Sequence, residues 1–178
     1  MAAWFGFLNV HARLTRELDN RLVQAHGMPL VEYEVLLKLS IAGGAMRMSD
    51  LAEAALLSRS GLTRIVDELE SLGLVTRAPD DTDGRVFIAT MTAAGRRRFL
   101  AARRTHLAGV KSLFLDALRP GQAPELAAAW RAIEERLPPP ETARRRRGPV
   151  VRERVPPARS APSSATMHDD ADGRRTRR

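Results

Sequence analysis

The spacing of apolar residues predicts a mainly helical protein over positions 1–137. Apolar side chains recur every three or four residues, the period of an amphipathic helix, in the ranges 4–22, 30–40, 59–72, 93–118 and 126–137. Glycine and proline residues interrupt this pattern where each helix is expected to end, at Gly27 and Pro29, Gly43-Gly44, Gly73 and Pro120-Gly121. We therefore expect one helical domain over 1–137, with long helices at its two ends.

A short helix and a second helix follow one another closely after position 49. Ser49 or Asp50 is a suitable N-cap for the short helix, and Glu53 stands where it can close a capping box. Ser58 is a good N-cap for the second helix, which is predicted over 59–72. The two helices form a helix-turn-helix unit.

Two β-prone runs follow this unit directly. They cover 74–78 and 86–91, and the polar segment 79–84 joins them in a way that is typical of a hairpin. A short extended piece at 46–48 precedes the unit, and Thr92 is placed to cap the next long helix. The order helix, turn, helix, hairpin predicts a winged helix-turn-helix with a small β-hairpin wing.

Charge is distributed unevenly along the second helix. No acidic residue lies between Glu53 and Asp67, and the face opposite the apolar stripe carries hydroxyl and guanidinium groups in the first turns. These candidate DNA contacts are Ser58, Arg59, Ser60, Thr63 and Arg64. A recognition helix needs such an end, because carboxylates are repelled by DNA whereas these donors reach phosphates and base edges. The alternative is an ordinary solvated helix face.

The hairpin carries three further candidates for contact with DNA. Arg85 at the tip is placed to reach the negative potential of a minor groove, and Asp83 is placed to hold its guanidinium by a bidentate contact. Arg77 on the first strand is placed to meet a backbone phosphate. For Asp83 and Arg85 the alternative is turn chemistry with a weak surface ion pair.

At these residues the sequence resembles the MarR family of bacterial regulators. The similar features are Leu51-Ala52, the run from Leu57 to Arg64, the exit Leu69-x-x-x-Gly73-Leu74-Val75-x-Arg77, the pair Asp83-x-Arg85, and Met91-Thr92-x-x-Gly95. The resemblance covers about residues 5–137 and implies a homodimer joined by its first and last helices. It also implies a pseudo-palindromic operator on double-stranded DNA, usually with repression, and makes Ser58, Ser60, Thr63 and Arg64 groove contacts and Arg85 the wing contact. The chain has no cysteine, so the peroxide-sensing mechanism of one branch of that family is excluded.

Aromatic residues of the first two predicted helices present two alternatives. Relatives in the family hold small aromatic or phenolic ligands between the dimerisation helices and the DNA-binding lobe. Trp4, Phe7, His11 and Tyr33 are the candidates for such an effector pocket in this chain. The other interpretation is packing in the core or at a dimer interface, which an aromatic stripe at helical spacing favours.

Composition separates the last forty residues from the rest. From Pro138 onward the chain carries seven of its 11 prolines, 11 of its 29 basic residues and five of its 21 acidic residues, so most of the net charge of +8 belongs there. We expect 138–178 to be a disordered tail rich in Arg and Pro. The run Arg144–Arg147 is either a DNA-attracting arm or a solubilising segment.

These observations also restrict the class of protein. There is no nucleophile with a base and an orienting partner, no glycine-rich phosphate loop and no set of metal-ligating residues, so we expect neither an enzyme nor a cofactor or metal. No apolar run has the length of a membrane span, and a cytoplasmic location is the expectation. The sequence predicts a dimeric, small-molecule-responsive repressor; the alternatives are a regulator without an effector and a dimeric protein-interaction module.

Overall fold

The predicted helical order is present in the computed structural model, which describes residues 1–138. The elements are α1 (Ala2–His26), α2 (Leu30–Ile41), β1 (Ala45–Arg47), α3 (Met48–Ala54), α4 (Arg59–Ser71), β2 (Val75–Pro79), β3 (Phe87–Met91), α5 (Ala93–Leu113), a 3₁₀ turn (Leu115–Ala117) and α6 (Gln122–Glu134). The predicted tail at 138–178 lies, apart from its first residue, outside the described residues.

Two long helices, α1 and α5, pack side by side. Gly109 on α5 permits their close approach, because a Cβ there would lie 2.7 Å from Cδ2 of Leu18. Hydrogen bonds run along the contact, from Arg21 Nη1 to Ser112 Oγ (3.1 Å) and between His26 Nε2 and Thr105 Oγ1 (2.8 Å). The two helices therefore form a continuous support on which α2 packs.

The core is aliphatic, as the low aromatic content predicts. It lies where α1, α2 and α5 meet the helix-turn-helix unit, so this unit and the long helices share one interior. Its buried members are Leu18, Leu22, Met28, Leu30, Tyr33, Val35, Leu36, Leu39, Leu51, Ala52, Leu62, Val66, Leu69, Leu74, Val75, Ala89, Phe99 and Ala102. Burial of each leucine contributes roughly 1.5–3 kcal/mol, so this interior fixes how α3 and α4 sit on the long helices.

The sheet is larger than the predicted hairpin. Strands β2 and β3 pair antiparallel as expected, with Val75 opposite Met91. The extended piece before α3 becomes β1 and pairs with the other edge of β3, with Ala45 opposite Thr90. The wing is thus part of a three-stranded sheet in the order β1-β3-β2, and β1 anchors it to the start of α3.

Two of the three predicted helix caps are confirmed. Ser58 Oγ accepts a hydrogen bond from the backbone N of Gly61 (3.1 Å), and Thr92 Oγ1 accepts one from that of Gly95 (3.0 Å). The prediction that Ser49 or Asp50 caps α3 is wrong. Because α3 begins at Met48, directly after β1, both residues fall inside its first turn, and Ser49 Oγ donates to Asp50 Oδ1 instead (3.2 Å).

Helix ends account for the other differences. The helix predicted over 93–118 ends at Leu113 and is followed by the short 3₁₀ turn. Leu72 is exposed rather than turned inward, because α4 ends one residue earlier. Helix α6 has no buried residue.

Among residues 1–138, none of the helices combines the length and apolar character that a membrane crossing requires.

A tight joint connects the end of α4 to the start of α5. Thr92 donates its hydroxyl to the carbonyl of Gly73 (2.8 Å) and its backbone N–H to the carbonyl of Leu74 (3.0 Å). One turn later, a Cβ placed on Gly95 would lie 2.0 Å from the same Leu74 oxygen. No residue with a side chain fits there unless the backbone moves.

We expect Gly95→Ala to lower the free energy of unfolding by about 1–3 kcal/mol, the usual cost of overpacking. In an unobstructed helix the same change stabilises by roughly 1 kcal/mol. Gly6→Ala is the matched control, because nothing lies within 4 Å of a Cβ at that helical glycine. Urea unfolding of both variants checks this. A Gly95→Ala protein as stable as Gly6→Ala contradicts the close contact.

Candidate nucleic-acid interface

The first turn of α4 is ordered by its own hydroxyl groups. Ser58 Oγ caps the helix and lies 3.3 Å from Ser60 Oγ. Thr63 Oγ1 donates to the carbonyl of Arg59 (2.9 Å). These contacts fix the backbone of the helix end while Ser58, Arg59, Ser60, Thr63 and Arg64 are all exposed. The structure thus places the five predicted contacts on one accessible helix end.

The opposite side and the far end of α4 differ in character. Leu62, Val66 and Leu69 are buried and attach the helix to the core. The acidic residues lie in its C-terminal half, at Asp67, Glu68 and Glu70. Within residues 1–138, neither Arg59 nor Arg64 forms an ion pair. The N-terminal end of α4 therefore carries unpaired positive charge with no carboxylate on the same turns.

Carboxylates organise the backbone at the tip of the wing. Asp80 Oδ1 accepts hydrogen bonds from the backbone N of Thr82 (2.9 Å) and of Asp83 (3.2 Å), and also from the Thr82 hydroxyl. The hydrogen bonds from Thr82, the hydroxyl first, hold the pKa of the Asp80 carboxyl below its usual value. This carboxylate serves to close the turn.

The predicted grip of Asp83 on the Arg85 guanidinium is wrong. Asp83 Oδ1 instead accepts a hydrogen bond from the backbone N of Arg85 (3.1 Å), because the two residues belong to the same tight turn. The Arg85 side chain is exposed and has no ion pair within the described residues. Its guanidinium is therefore available to an external anion.

Arg77 is already engaged by its own chain. Its Nη2 lies 2.9 Å from Asp67 Oδ1 and 3.6 Å from Glu70 Oε2. Its backbone N also donates to Glu70 Oε1 (3.0 Å). These contacts fasten β2 to the C-terminal half of α4. A phosphate contact by Arg77, which stays a prediction, competes with two carboxylates.

An open crevice of about 290 Å³ lies between the start of α4 and the wing. Arg59 and Arg85 both line it, although they are 26 positions apart in the sequence. The full lining is Met48, Ser49, Arg59, Leu62, Arg85, Val86 and Phe87. Sequence reasoning missed Ser49 and Phe87 as members of this surface, since only the pairing of β1 with β3 brings the start of α3 beside the wing.

The four predicted effector residues fall into two groups. The ring centroids of Trp4 and Phe7 are 5.8 Å apart and those of Phe7 and His11 are 5.9 Å apart; Trp130 on α6 adds a further contact, 5.1 Å from Phe7. Tyr33 is only 2% exposed and lies in the core. No ring contact joins Tyr33 to the other three within residues 1–138, so the structure does not assemble them into one pocket.

Tyr33 has different neighbours, which the sequence did not indicate. Its ring stacks on Phe99 (5.5 Å) and lies 4.5 Å from the ring of His106. Nδ1 of His106 is buried without a hydrogen-bond partner in the described part of the chain. Burial lowers the pKa of His106, because this interior solvates an imidazolium poorly.

Comparison with known proteins agrees with this architecture. The MarR family model matches residues 26–86, the range that holds the helix-turn-helix unit and most of the wing. The structure of AbsC, a MarR family transcriptional regulator from Streptomyces coelicolor, is 35% identical in sequence to this chain. The match covers 75% of this chain and 90% of AbsC, with a TM-score of 0.70. This chain belongs to the MarR family. Its fold is therefore the winged helix of those transcriptional regulators.

Two further relatives extend the comparison. Sco3205, a MarR family regulator from Streptomyces coelicolor solved in complex with DNA, shares 31% identity over 78% of this chain and 87% of that chain, with a TM-score of 0.73. The transcriptional activatory protein BadR from Rhodopseudomonas palustris is 35% identical over 88 residues. That match spans 48% of this chain and half the length of BadR. The family is one of regulators rather than enzymes.

We expect the stability of this MarR family member to fall on mild acidification because of His106. The unfolded chain binds a proton on this imidazole near pH 6.5, whereas the folded protein resists it. The free energy of unfolding therefore decreases as the pH falls below 6.5 and stops decreasing below the lowered pKa of the folded state. Chemical unfolding from about pH 8 to about pH 5 measures this decrease.

His106→Gln serves as the comparison, since the amide does not titrate and the other histidines are unchanged. We expect the variant to have the shallower pH dependence in this window. Equal pH dependence of the two proteins contradicts the assignment to His106.

Proposed function

We propose that this chain is a dimeric, sequence-specific DNA-binding regulator of transcription. The observation that carries the proposal is the N-terminal end of α4, which is exposed, free of carboxylates and equipped with hydroxyl and guanidinium donors. The acidic residues of the same helix all lie toward its other end. A helix of this polarity is suited to enter the major groove with its first turns.

Within this end, Arg64 is the side chain best placed to identify a base. Ser58 and Thr63 already use their hydroxyls in local hydrogen bonds, so they shape the helix end before DNA is bound. Arg64 is exposed, unpaired in the described structure, and six residues beyond the cap Ser58. A guanidinium in this position is suited to a bidentate contact with the O6 and N7 of guanine.

The wing completes one half-site. We place the tip with Arg85 along the minor groove adjacent to the segment that α4 reads, and we leave Asp83 as the residue that shapes the turn. Arg77 acts by holding the wing at a fixed angle to α4, because its guanidinium lies between Asp67 and Glu70. The angle between helix and wing is then built into the lobe before DNA binds.

Apolar surface on the terminal helices supports a homodimer. Trp4 is 55% exposed and Phe5 56%, and Trp130 on α6 is 38% exposed although it touches Phe7. Val10 on α1 is also 56% exposed. Exposed apolar area of this extent is typical of a protein interface. A symmetric dimer presents two α4 helices about one DNA turn, ~34 Å, apart.

We further propose that a small aromatic ligand controls this dimer and that DNA binding represses transcription where the operator overlaps a promoter. The observation that supports a ligand is His106 Nδ1 beside the Tyr33 ring, because this buried atom has no hydrogen-bond partner within residues 1–138 and is suited to a polar group on an aromatic molecule. A ligand that favours another spacing of the two α4 helices releases DNA by population shift. A regulator without an effector is the alternative, and a ligand screen by thermal shift separates the two.

We expect Arg64→Ala to lose base recognition while the protein stays folded. The predicted loss on the specific duplex is about 1–3 kcal/mol, with little change on a scrambled duplex. The specific duplex is the one that the full chain enriches from a random library, and binding is measured by fluorescence anisotropy. Arg104→Ala is the control, because Arg104 is an exposed arginine of α5. Equal losses on both duplexes, or equal losses in both variants, contradict the role of Arg64.

We expect Trp130→Glu to dissociate the dimer, because it places a charge in the proposed apolar interface. Sedimentation velocity should show a smaller species with unchanged helix content by circular dichroism, and affinity for the specific duplex should fall. Ile41→Glu provides the control, since Ile41 is an exposed apolar residue of α2 outside this surface. A Trp130→Glu protein that sediments like the Ile41→Glu protein refutes the interface.

A further inference from the structure

The crevice between α4 and the wing combines cationic and apolar residues. Arg59 and Arg85 both line it, and among the described residues no carboxylate does. Both cations lack an ion-pair partner within residues 1–138. Asp83, the nearest acid along the chain to Arg85, directs Oδ1 to a backbone N–H instead. Two like charges facing one cleft are stabilised by an anion between them.

Apolar residues also line the crevice. Leu62 and Val86 are among them, and Phe87 at the start of β3 is 45% exposed. A free inorganic anion has no apolar part that could pack against Phe87. A phosphodiester does, since its charged group is flanked by the carbon-rich faces of two deoxyribose rings.

The location of the crevice indicates which phosphates reach it. It lies between the N-terminal end of α4, which we place in a major groove, and the wing, which we place along the neighbouring minor groove. The strand that separates these two grooves has to pass between the two elements. This argument rests on the proposed function, because it uses the orientation of α4 and the wing on DNA.

We propose that one phosphodiester of this strand binds in the crevice and is held jointly by Arg59 and Arg85, with Phe87 packed against the adjoining sugar. Arg85 then acts at the edge of the minor groove, on the backbone, rather than on base edges inside it. The contact locks the register of helix and wing on the DNA. It adds affinity without sequence preference, since every base pair offers the same phosphate.

The salt dependence of binding tests whether the two arginines share one phosphate. Each neutralised phosphate contributes about 0.9 to the slope of log affinity against log salt concentration, hence about 1.8 for a dimer with two crevices. If the phosphate is shared, each single variant, Arg59→Ala or Arg85→Ala, loses affinity but keeps most of the slope. The double variant then loses about 1.8. Separate phosphates predict a loss of about 1.8 in each single variant and about 3.6 in the double one, which overturns the proposal, as does an unchanged slope in all three.

A second measurement locates the phosphate on the selected duplex. Neutral methylphosphonate linkages are introduced one at a time, and one position in each half-site should weaken the wild-type protein about tenfold or more. The same linkage should have no effect on the Arg59→Ala/Arg85→Ala double variant. Sensitivity that persists in the double variant overturns the joint contact.

Two variants separate this proposal from its alternatives. Phe87→Ala should weaken binding with the slope unchanged, because it removes only the apolar wall; Arg104→Ala should change neither affinity nor slope. The double variant should keep the preference for the selected over the scrambled duplex that Arg64→Ala loses. If the wild-type chain shows no such preference, the proposed function fails, whereas a preference without the predicted slopes refutes the shared phosphate alone.

Discussion

The contact between the start of α5 and the turn after α4 determines how the two halves of this protein act on each other. Thr92 donates hydrogen bonds to the carbonyls of Gly73 and Leu74. At Gly95, α5 approaches Leu74 so closely that there is no space for a Cβ. Because interiors are close-packed, a displacement of α5 is passed to α4 rather than absorbed. The proposed reading end of α4 is therefore oriented by the long helices, which carry the proposed dimer surface. In the proposed mechanism, a ligand that shifts those helices acts on DNA binding through this joint.

The polarity of α4 gives one helix two separate tasks. Its N-terminal half carries arginines that form no ion pair within residues 1–138, whereas its C-terminal half uses Asp67 and Glu70 to hold Arg77 and with it the wing. The acids are thus kept away from the proposed groove side and serve the packing of the lobe. The acidic residues of the wing tip also have a structural role. Asp80 and Asp83 each accept hydrogen bonds from backbone N–H groups and thereby shape the turn.

The order of helices and strands was predictable because each boundary has a local cause. Ser58, Thr92 and Gly27 act through their own side chain or backbone freedom, so the positions of α4, α5 and the end of α1 follow from sequence. The extended piece at 46–48 was predictable, but its pairing as β1 with β3 was not, since that partner strand lies more than forty residues away in the chain. For the same reason the Ser49 cap was wrong and the crevice was missed. The direction of the effector candidates was not predictable either: Tyr33 and Trp4 both have helical spacing, yet one faces the core and the other the surface.

A methylation-interference experiment on the duplex selected by the full chain tests whether α4 reads bases, because it reports which guanine N7 atoms in the major groove must stay free. We expect two interfering clusters, symmetric about a centre and about 10–10.5 base pairs apart, one for each α4 helix of a dimer. Interference spread evenly along the duplex, or its absence from the major groove, would contradict the assignment of α4 as the base-reading element.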